Sequence, residues 1–282
     1  MRTCCAAVQL KRVPALHLRP FVRSVWLSER RPLRGAIEAE REHVLPTGDM
    51  HLVFRLSDDP VRLFDRGAET PHMVLGHAVV GGPRSGYYVK DVPRSACSVG
   101  VQLKAGAAEA LFGIPASEFA ERHVRLEDLW GRPASLIRDQ LIEAGDPVRQ
   151  LHLLEAVIAE RLPRLRALHP AVAAALEHFA TSNSVGDAVR RSGYSHRGFV
   201  ALFRRSVGLS PKRYARVLRF QRVLARAGKR DVTWADLALQ AGYCDQAHFS
   251  REFREFAGVS PENYRRAGPT ASHHLPLAST SR

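Results

Sequence analysis

An α+β fold is predicted, with a β-rich N-terminal part that ends in helices and an all-α C-terminal part made of two similar units joined by a linker helix. Three observations carry this expectation. Short apolar runs separated by turn signals fill residues 15–104, an internal repeat with an offset of 49 to 50 residues fills the last third, and a basic excess is concentrated on that repeat.

The runs at 21–27, 51–56, 61–64, 73–80, 87–92 and 97–103 are short and rich in Val, Leu, Phe and Tyr, as strands are. Turn signals at Pro46-Thr-Gly48, Asp58-Asp-Pro60 and Gly81-Gly-Pro83 separate them, which predicts a small β-barrel or sandwich. Helical patterning begins near Ala105, covers 107–112, and returns over about 147–162.

The repeat aligns Ser184, Asp187, Gly193, Tyr194, Phe199, Phe203, Gly208, Pro211 and Tyr214 with Thr233, Asp236, Gly242, Tyr243, Phe249, Phe253, Gly258, Pro261 and Tyr264. The offset grows from 49 to 50 between the Gly-Tyr pair and the first Phe, so the one extra residue falls in a turn, where insertions are tolerated. Ser184 with Asp187 and Thr233 with Asp236 have the spacing of a helix-capping arrangement. Gly193 and Gly242 then sit where the chain must turn sharply. After the turn, Phe199, Leu202 and Phe203 share one helical face, as do Phe249, Phe253 and Phe256, and these faces are expected to pack inward.

The opposite faces are free to meet a partner. They carry Arg197, Val200, Ala201 and Arg204 in the first unit, with Arg205 beside them, and Ala247, Ser250, Arg251 and Arg254 in the second, flanked by Gln246 and His248. Between the units, Ser210 can cap a helix, Pro211 suits its first position and Gly228 suits its end. That helix is a strut of roughly 24 Å. Its apolar stripe is Tyr214, Val217, Leu218 and Leu224, and its charge comes from Arg213, Arg216, Arg219, Arg222 and Arg226, a minority of which are expected to touch a polyanion.

Charge agrees with that partner class. The chain has a net charge of +14, and residues 181–266 hold 17 Lys plus Arg against 7 Asp plus Glu, leaving 25 against 21 elsewhere. Such an excess favours nucleic acid over an acidic small substrate. No stretch approaches the roughly 20 apolar residues of a membrane span, and the first residues lack a secretory core, so a cytoplasmic protein without membrane contact is expected. Cys4, Cys5, Cys97 and Cys244 have no zinc-ligand spacing and are expected as reduced thiols, Cys97 as a small buried hydrophobe.

The stretch from Gly242 to Arg265, together with the repeat from Pro170 to Arg266, resembles the AraC/XylS family of bacterial regulators. The resemblance implies two helix-turn-helix units joined by the linker helix, and double-stranded DNA as partner. Carried over position by position, base reading falls on Arg197, Val200 and Ala201 in the first unit and on Gln246, Ala247, His248 and Arg251 in the second. Arg197, Gln246 and Arg251 can form paired hydrogen bonds to base edges, whereas Val200 and Ala201 read at most a thymine methyl or shape. Gly186 and Gly198 inside the first unit's helices, and Ala188-Val189 in place of the usual Leu-Ala, depart from the family pattern.

Residues 43–54 and 105–112 are similar to the cupin-like sensory domain that precedes such DNA-binding domains. This implies a cupin-like β-barrel with a helical extension over residues 1–165, a DNA-binding domain over 166–268 and a disordered tail over 269–282. His43, His51, His72 and His77 lack the His-x-His, Glu, His order of a cupin metal site, so neither metal nor cofactor is expected, and no nucleophile motif points to catalysis. A one-component regulator fits these features. A small-molecule effector, RNA polymerase and a second copy of the chain are compatible further partners. Two alternatives stand beside it: an enzyme of DNA-repair or cupin type fused to a DNA-binding module, and a barrel that only dimerises.

Overall fold

The computed structural model describes residues 6–31, 41–65, 67–93, 95–162, 168–228, 232–269, 271 and 273–277. Cys4, Cys5 and the expected domain boundary at 165 lie outside them.

The strands are β1 (Ala6–Arg12), β2 (Val22–Arg31), β3 (Arg41–Val44), β4 (Met50–Arg55), β5 (Val61–Phe64), β6 (Pro71–Gly76), β7 (Ala78–Gly81), β8 (Tyr88–Asp91), β9 (Ala96–Leu103), β10 (His123–Arg125) and β11 (His274–Pro276). They form a six-stranded sheet, in the order β1-β2-β9-β4-β7-β10, and a five-stranded sheet, in the order β11-β3-β8-β5-β6. The run expected over 73–80 is two strands, and the chain passes from the small sheet to the large one between Gly76 and Ala78.

The expected barrel does not form. No ladder joins the two sheets among the described residues, and the reason lies in which face is apolar. Val25, Leu27, Leu52, Phe54, Val80, Val99, Val101 and Leu103 of the large sheet are all buried in a cluster with Leu111, Ile137, Leu141, Leu151, Leu154 and Ile158. Those partners belong to α1 (Ala107–Phe112), α4 (Pro133–Ala144) and α5 (Pro147–Arg161), while α2 (Ala116–Phe119) and α3 (Glu127–Trp130) are shorter turns between them. The large sheet therefore spends its apolar face on helices instead of closing upon the second sheet.

The C-terminal part is helical: α6 (Pro170–Thr181), α7 (Val185–Ser192), α8 (His196–Val207), α9 (Pro211–Ala227), α10 (Trp234–Gln240), α11 (Gln246–Ala257) and α12 (Pro261–Ala267). Phe179, Phe199, Phe203, Val217, Phe220, Phe249, Phe253 and Phe256 are fully buried in one cluster that runs through both helical pairs and the strut.

Residues 273–277, within the tail expected to be disordered, are instead paired into a sheet. Residues 274–276 form β11, which pairs antiparallel with β3, and the Leu45 and Leu277 amides donate to the carbonyls of His273 and Arg41 at 2.8 and 2.9 Å. Leu275 is buried with Leu45 against the helical cluster, so apolar burial and an available sheet edge hold the segment. Further contacts tie the helices to the strands: His43 Nδ1 lies 2.8 Å from the Ala257 carbonyl at the end of α11, the Gly106 amide donates to the Ser206 carbonyl at 3.1 Å, and Gln221 donates to the Pro46 carbonyl at 2.5 Å.

Candidate nucleic-acid interface

Each helical pair begins at a side-chain cap. Ser184 Oγ accepts from the Asp187 amide at 3.2 Å and Thr233 Oγ1 from the Asp236 amide at 3.1 Å. Gly193 (φ +70°) and Gly242 (φ +80°) provide the left-handed turns, which a side chain would strain. The second helix of each pair is capped as well, α8 by Ser195 onto the Gly198 amide at 3.2 Å and α11 by Asp245 onto the His248 amide at 2.6 Å. Each cap contributes about 1 kcal/mol and fixes where its helix starts, and so which side chains face outward.

Burial of Phe199 and Phe203 turns Arg197, Ala201 and Arg204 of α8 outward; all three are exposed, and Val200 is half-buried. In α11 the buried Phe249, Phe253 and Phe256 leave Gln246, Ala247, Arg251 and Arg254 exposed and Ser250 half-buried. Arg197, Val200, Ala201 and Arg204, and likewise Ala247, Ser250, Arg251 and Arg254, follow the i, i+3, i+4, i+7 spacing of a single helical face, with Gln246 beside the second. Val200 and Arg204 also border a cleft of about 620 Å³ whose opposite wall includes Ser117, Glu118, Glu121 and Arg122 of the N-terminal part.

Two of the expected residues do not join these faces. Arg205 reaches back to Glu109 of α1, Nη2 to Oε1 at 3.2 Å. His248 is half-buried, with Nδ1 3.2 Å from Cys244 Sγ, Nε2 3.8 Å from Glu252 Oε2 and its ring edge-on to Tyr243. Both are held by protein partners, His248 within its own helical pair and Arg205 across to α1.

The strut, α9, is 17 residues long and is capped by Ser210 with Pro211 at its first position. At ~1.5 Å per residue it spans roughly 26 Å. Its arginines are mostly committed to protein. Arg216 Nε donates to Glu252 Oε2 at 2.8 Å, Arg219 Nη2 donates to both Glu252 oxygens at 2.7 Å, and Arg222 Nη1 donates to the Phe179 and Ala180 carbonyls at 3.2 and 3.3 Å. Arg226 bonds Gln240, while Arg213 is exposed beside the cleft.

Glu252 is the residue that sequence reasoning missed. It is buried on α11 between Phe249 and Phe253, and Tyr243 Oη also donates to it at 2.7 Å. Burial alone would raise its carboxyl, but hydrogen bonds from Arg219, Arg216 and Tyr243 hold it below the usual carboxylate range. The signal available was an acid on an apolar helical face opposite a basic strut. Cys97 is half-buried, and burial raises its thiol, in keeping with an unreactive side chain; Cys244 is exposed. Among the described residues, no group of three or more His, Cys, Asp or Glu is placed to hold a metal ion, and no helix is long and apolar enough to cross a membrane.

Capped short helices, a glycine turn and an exposed, arginine-bearing second helix define a helix-turn-helix class of DNA-binding domain. Residues 171–267 match the family model described as a helix-turn-helix domain, and this part of the chain is of the AraC type. Residues 11–125 match a second model, described as a domain of unknown function (DUF6597). Among curated proteins, the chain is 34% identical over 82 residues to one named as the HTH-type transcriptional regulator YkgA of Escherichia coli (strain K12), covering 29% of this chain and 34% of that protein. It is 29% identical over 73 residues to an HTH-type transcriptional regulator of Haemophilus influenzae, covering 26% and 24%. The matches thus span about a third and a quarter of those relatives' lengths. Among solved structures, similarity extends to ToxT from Vibrio cholerae O395 (TM-score 0.45, 9% identity, 95% of this chain and 99% of that one). It extends also to the DNA-binding domain of AdpA in complex with a target DNA (TM-score 0.31, 28% identity, 34% and 87%).

Proposed function

We propose that the protein is a transcription regulator that binds operator DNA through both helical pairs, with α8 and α11 entering successive major grooves. The observation that carries this reading is the pair of capped, outward-facing recognition surfaces held apart by one rigid helix. Arg197, Gln246 and Arg251 read base edges; Arg204, Ser250 and Arg254 contact the backbone; Val200, Ala201 and Ala247 supply close apolar contact. His248 and Arg205 support the surface instead of reading from it, since each has a protein partner. Residues before the helical part, to about 165, regulate this activity through an effector or through pairing with a second copy, and RNA polymerase is the partner through which a bound regulator acts. The protein performs no catalysis of its own in this reading.

The test is duplex binding by the full chain over a salt series, combined with selection of preferred sites from random duplexes. Neutralised phosphates release counterions, so affinity should fall linearly on a log–log scale, by ~10³-fold or more between 50 and 200 mM salt for about six contacts. Two short boxes should emerge, one per helical pair. A folded protein that shows no duplex binding at low salt, or binding indifferent to salt, would remove the proposal.

A further inference from the structure

The facing surfaces of two stacked sheets ordinarily interdigitate as an apolar core. Here that holds at one end, where Val61, Leu63, Leu75 and Val79 form a small buried cluster. Around the far end of β7 the facing surfaces carry polar side chains. Gly81 of β7 pairs with His51 of β4 on one side and with His123 of β10 on the other, so both imidazoles stand beside it on the face toward the small sheet. Gly81 makes the room for them: a Cβ at that position would stand 2.2 Å from the His51 ring. From the small sheet, the Tyr88 ring packs 4.4 Å from His123, and Lys90 lies two residues further along the same strand face. Arg84 enters from the β7–β8 connection, with its guanidinium 5.1 Å from the Tyr88 ring centre and Nη2 3.3 Å from His123 Nδ1.

The hydrogen-bond inventory of this cluster is incomplete. With Arg84 donating to Nδ1, the neutral His123 ring carries its proton on Nε2, and that atom is buried with no acceptor among the described residues. Arg84 Nε is in the same condition. Buried donors are nearly always satisfied, so two orphaned N–H groups in one cluster mark a missing acceptor. Charge points the same way. Arg84 and Lys90 are cations, and Glu42, which bonds Lys90 at 2.9 Å, is already shared with His274 of β11. Burial and the neighbouring cations push the His51 imidazole down to about 4 and His123 well below its ordinary range, so both rings are neutral at neutral pH and the positive charge of the cluster rests on Arg84 and Lys90.

We propose that this polar cluster between the sheets binds a small organic carboxylate, whose oxygens supply the acceptors that His123 Nε2 and Arg84 Nε lack and whose charge the Arg84 guanidinium offsets. The inference rests on reading the N-terminal part as the regulatory one, and it names the chemical class that part responds to. A carboxylate fits better than a neutral amide because an amide offers one acceptor oxygen and brings donors into a site that already has too many.

The experiment uses the full-length, ¹⁵N-labelled protein at pH 7, titrated with acetate and benzoate and, as neutral counterparts, acetamide and benzamide, with the side-chain imidazole nitrogens followed by NMR. The carboxylates should shift the His51 and His123 signals in a saturable way, selectively among the thirteen histidines, and the amides should not. Arg84→Gln should weaken the carboxylate response by about tenfold or more, as expected for a lost charge-assisted hydrogen bond. Arg84→Lys, which keeps the cation and loses the Nε donor, should cost less and guards against a folding defect. Equal responses to acid and amide overturn the proposal, as does no response at these two histidines to any of the four compounds, or an Arg84→Gln protein that binds like the unaltered one. Duplex binding measured on the same samples separates this inference from the regulator reading: DNA binding without a carboxylate response removes only the former.

Discussion

Replacing Glu252 by Gln keeps the side-chain volume and removes one negative charge from the point where the second helical pair is fastened to the strut. The carboxylate accepts from Arg216 Nε at 2.8 Å, from Arg219 Nη2 at 2.7 Å through each oxygen, and from Tyr243 Oη at 2.7 Å. Glutamine has one acceptor oxygen, and its amide N–H groups would face guanidinium donors. Removing one partner of a buried ion pair costs about 3–5 kcal/mol, because the other charge stays behind unpaired. Arg216 is 29% exposed and also bonds Glu255, so water and a second acid relieve part of that loss. The expected cost is therefore at the lower end, about 3 kcal/mol. Urea denaturation followed by tryptophan fluorescence reads it, since Trp234 packs 5.6 Å from Phe253 inside this pair. The pH dependence carries the same signature. The Glu252 carboxyl lies below its ordinary value of 4.5 in the folded protein, so its stabilisation is complete above that value and is lost as pH falls through the folded value. The Gln variant should lack this acid-dependent component. A loss under about 1 kcal/mol at pH 7, in the range of an exposed pair, would mean that Glu252 does not fasten the second helical pair to the strut.

The exposed face of α11 and the tail give two more expectations. Arg251→Ala should cost about 1–3 kcal/mol on the selected site and relax preference at one base position, while Arg254→Ala should weaken all sequences about equally; unchanged preferences in both variants would contradict the assignment of that face. Leu275→Ala should destabilise the protein by about 2–4 kcal/mol, because Leu275 is 2% exposed beside Leu45, whereas an unstructured tail would show no change in urea midpoint.

The C-terminal helices were legible because their ends are written in local chemistry. Ser184, Thr233 and Ser210 cap as their spacing predicts, and the Phe periodicity of α8 and α11 fixes which face is buried and hence which residues are exposed. The strands with β-branched and aromatic runs were legible for the same reason. β3 and β11 were not: Arg-Glu-His-Val and His-Leu-Pro carry no alternation, and each forms because a neighbouring edge offers unpaired amides and carbonyls. Sheet closure was misjudged because the patterning of a strand tells that one face is apolar without telling what covers it. Side-chain partnerships across the fold were equally hidden, as with Glu252 and the strut arginines, Arg205 with Glu109, and His123 with Arg84, which are 33 to 96 residues apart. The polar cluster emerges only when two strands far apart in sequence set His51 and His123 on either side of a glycine.

Inserting 5 bp between the two selected boxes asks whether both helical pairs read one duplex at once. The strut fixes the distance between α8 and α11, so they can reach the same DNA face only when the boxes lie about one helical turn, roughly 10 bp, apart. Half a turn more puts the boxes on opposite faces of the duplex. Affinity of the full-length protein should then fall toward its non-specific level, and a 10 bp insertion should not restore it fully, because the strut does not lengthen. Undiminished affinity after the 5 bp insertion would mean that one helical pair alone reads DNA and that the repeat is structural.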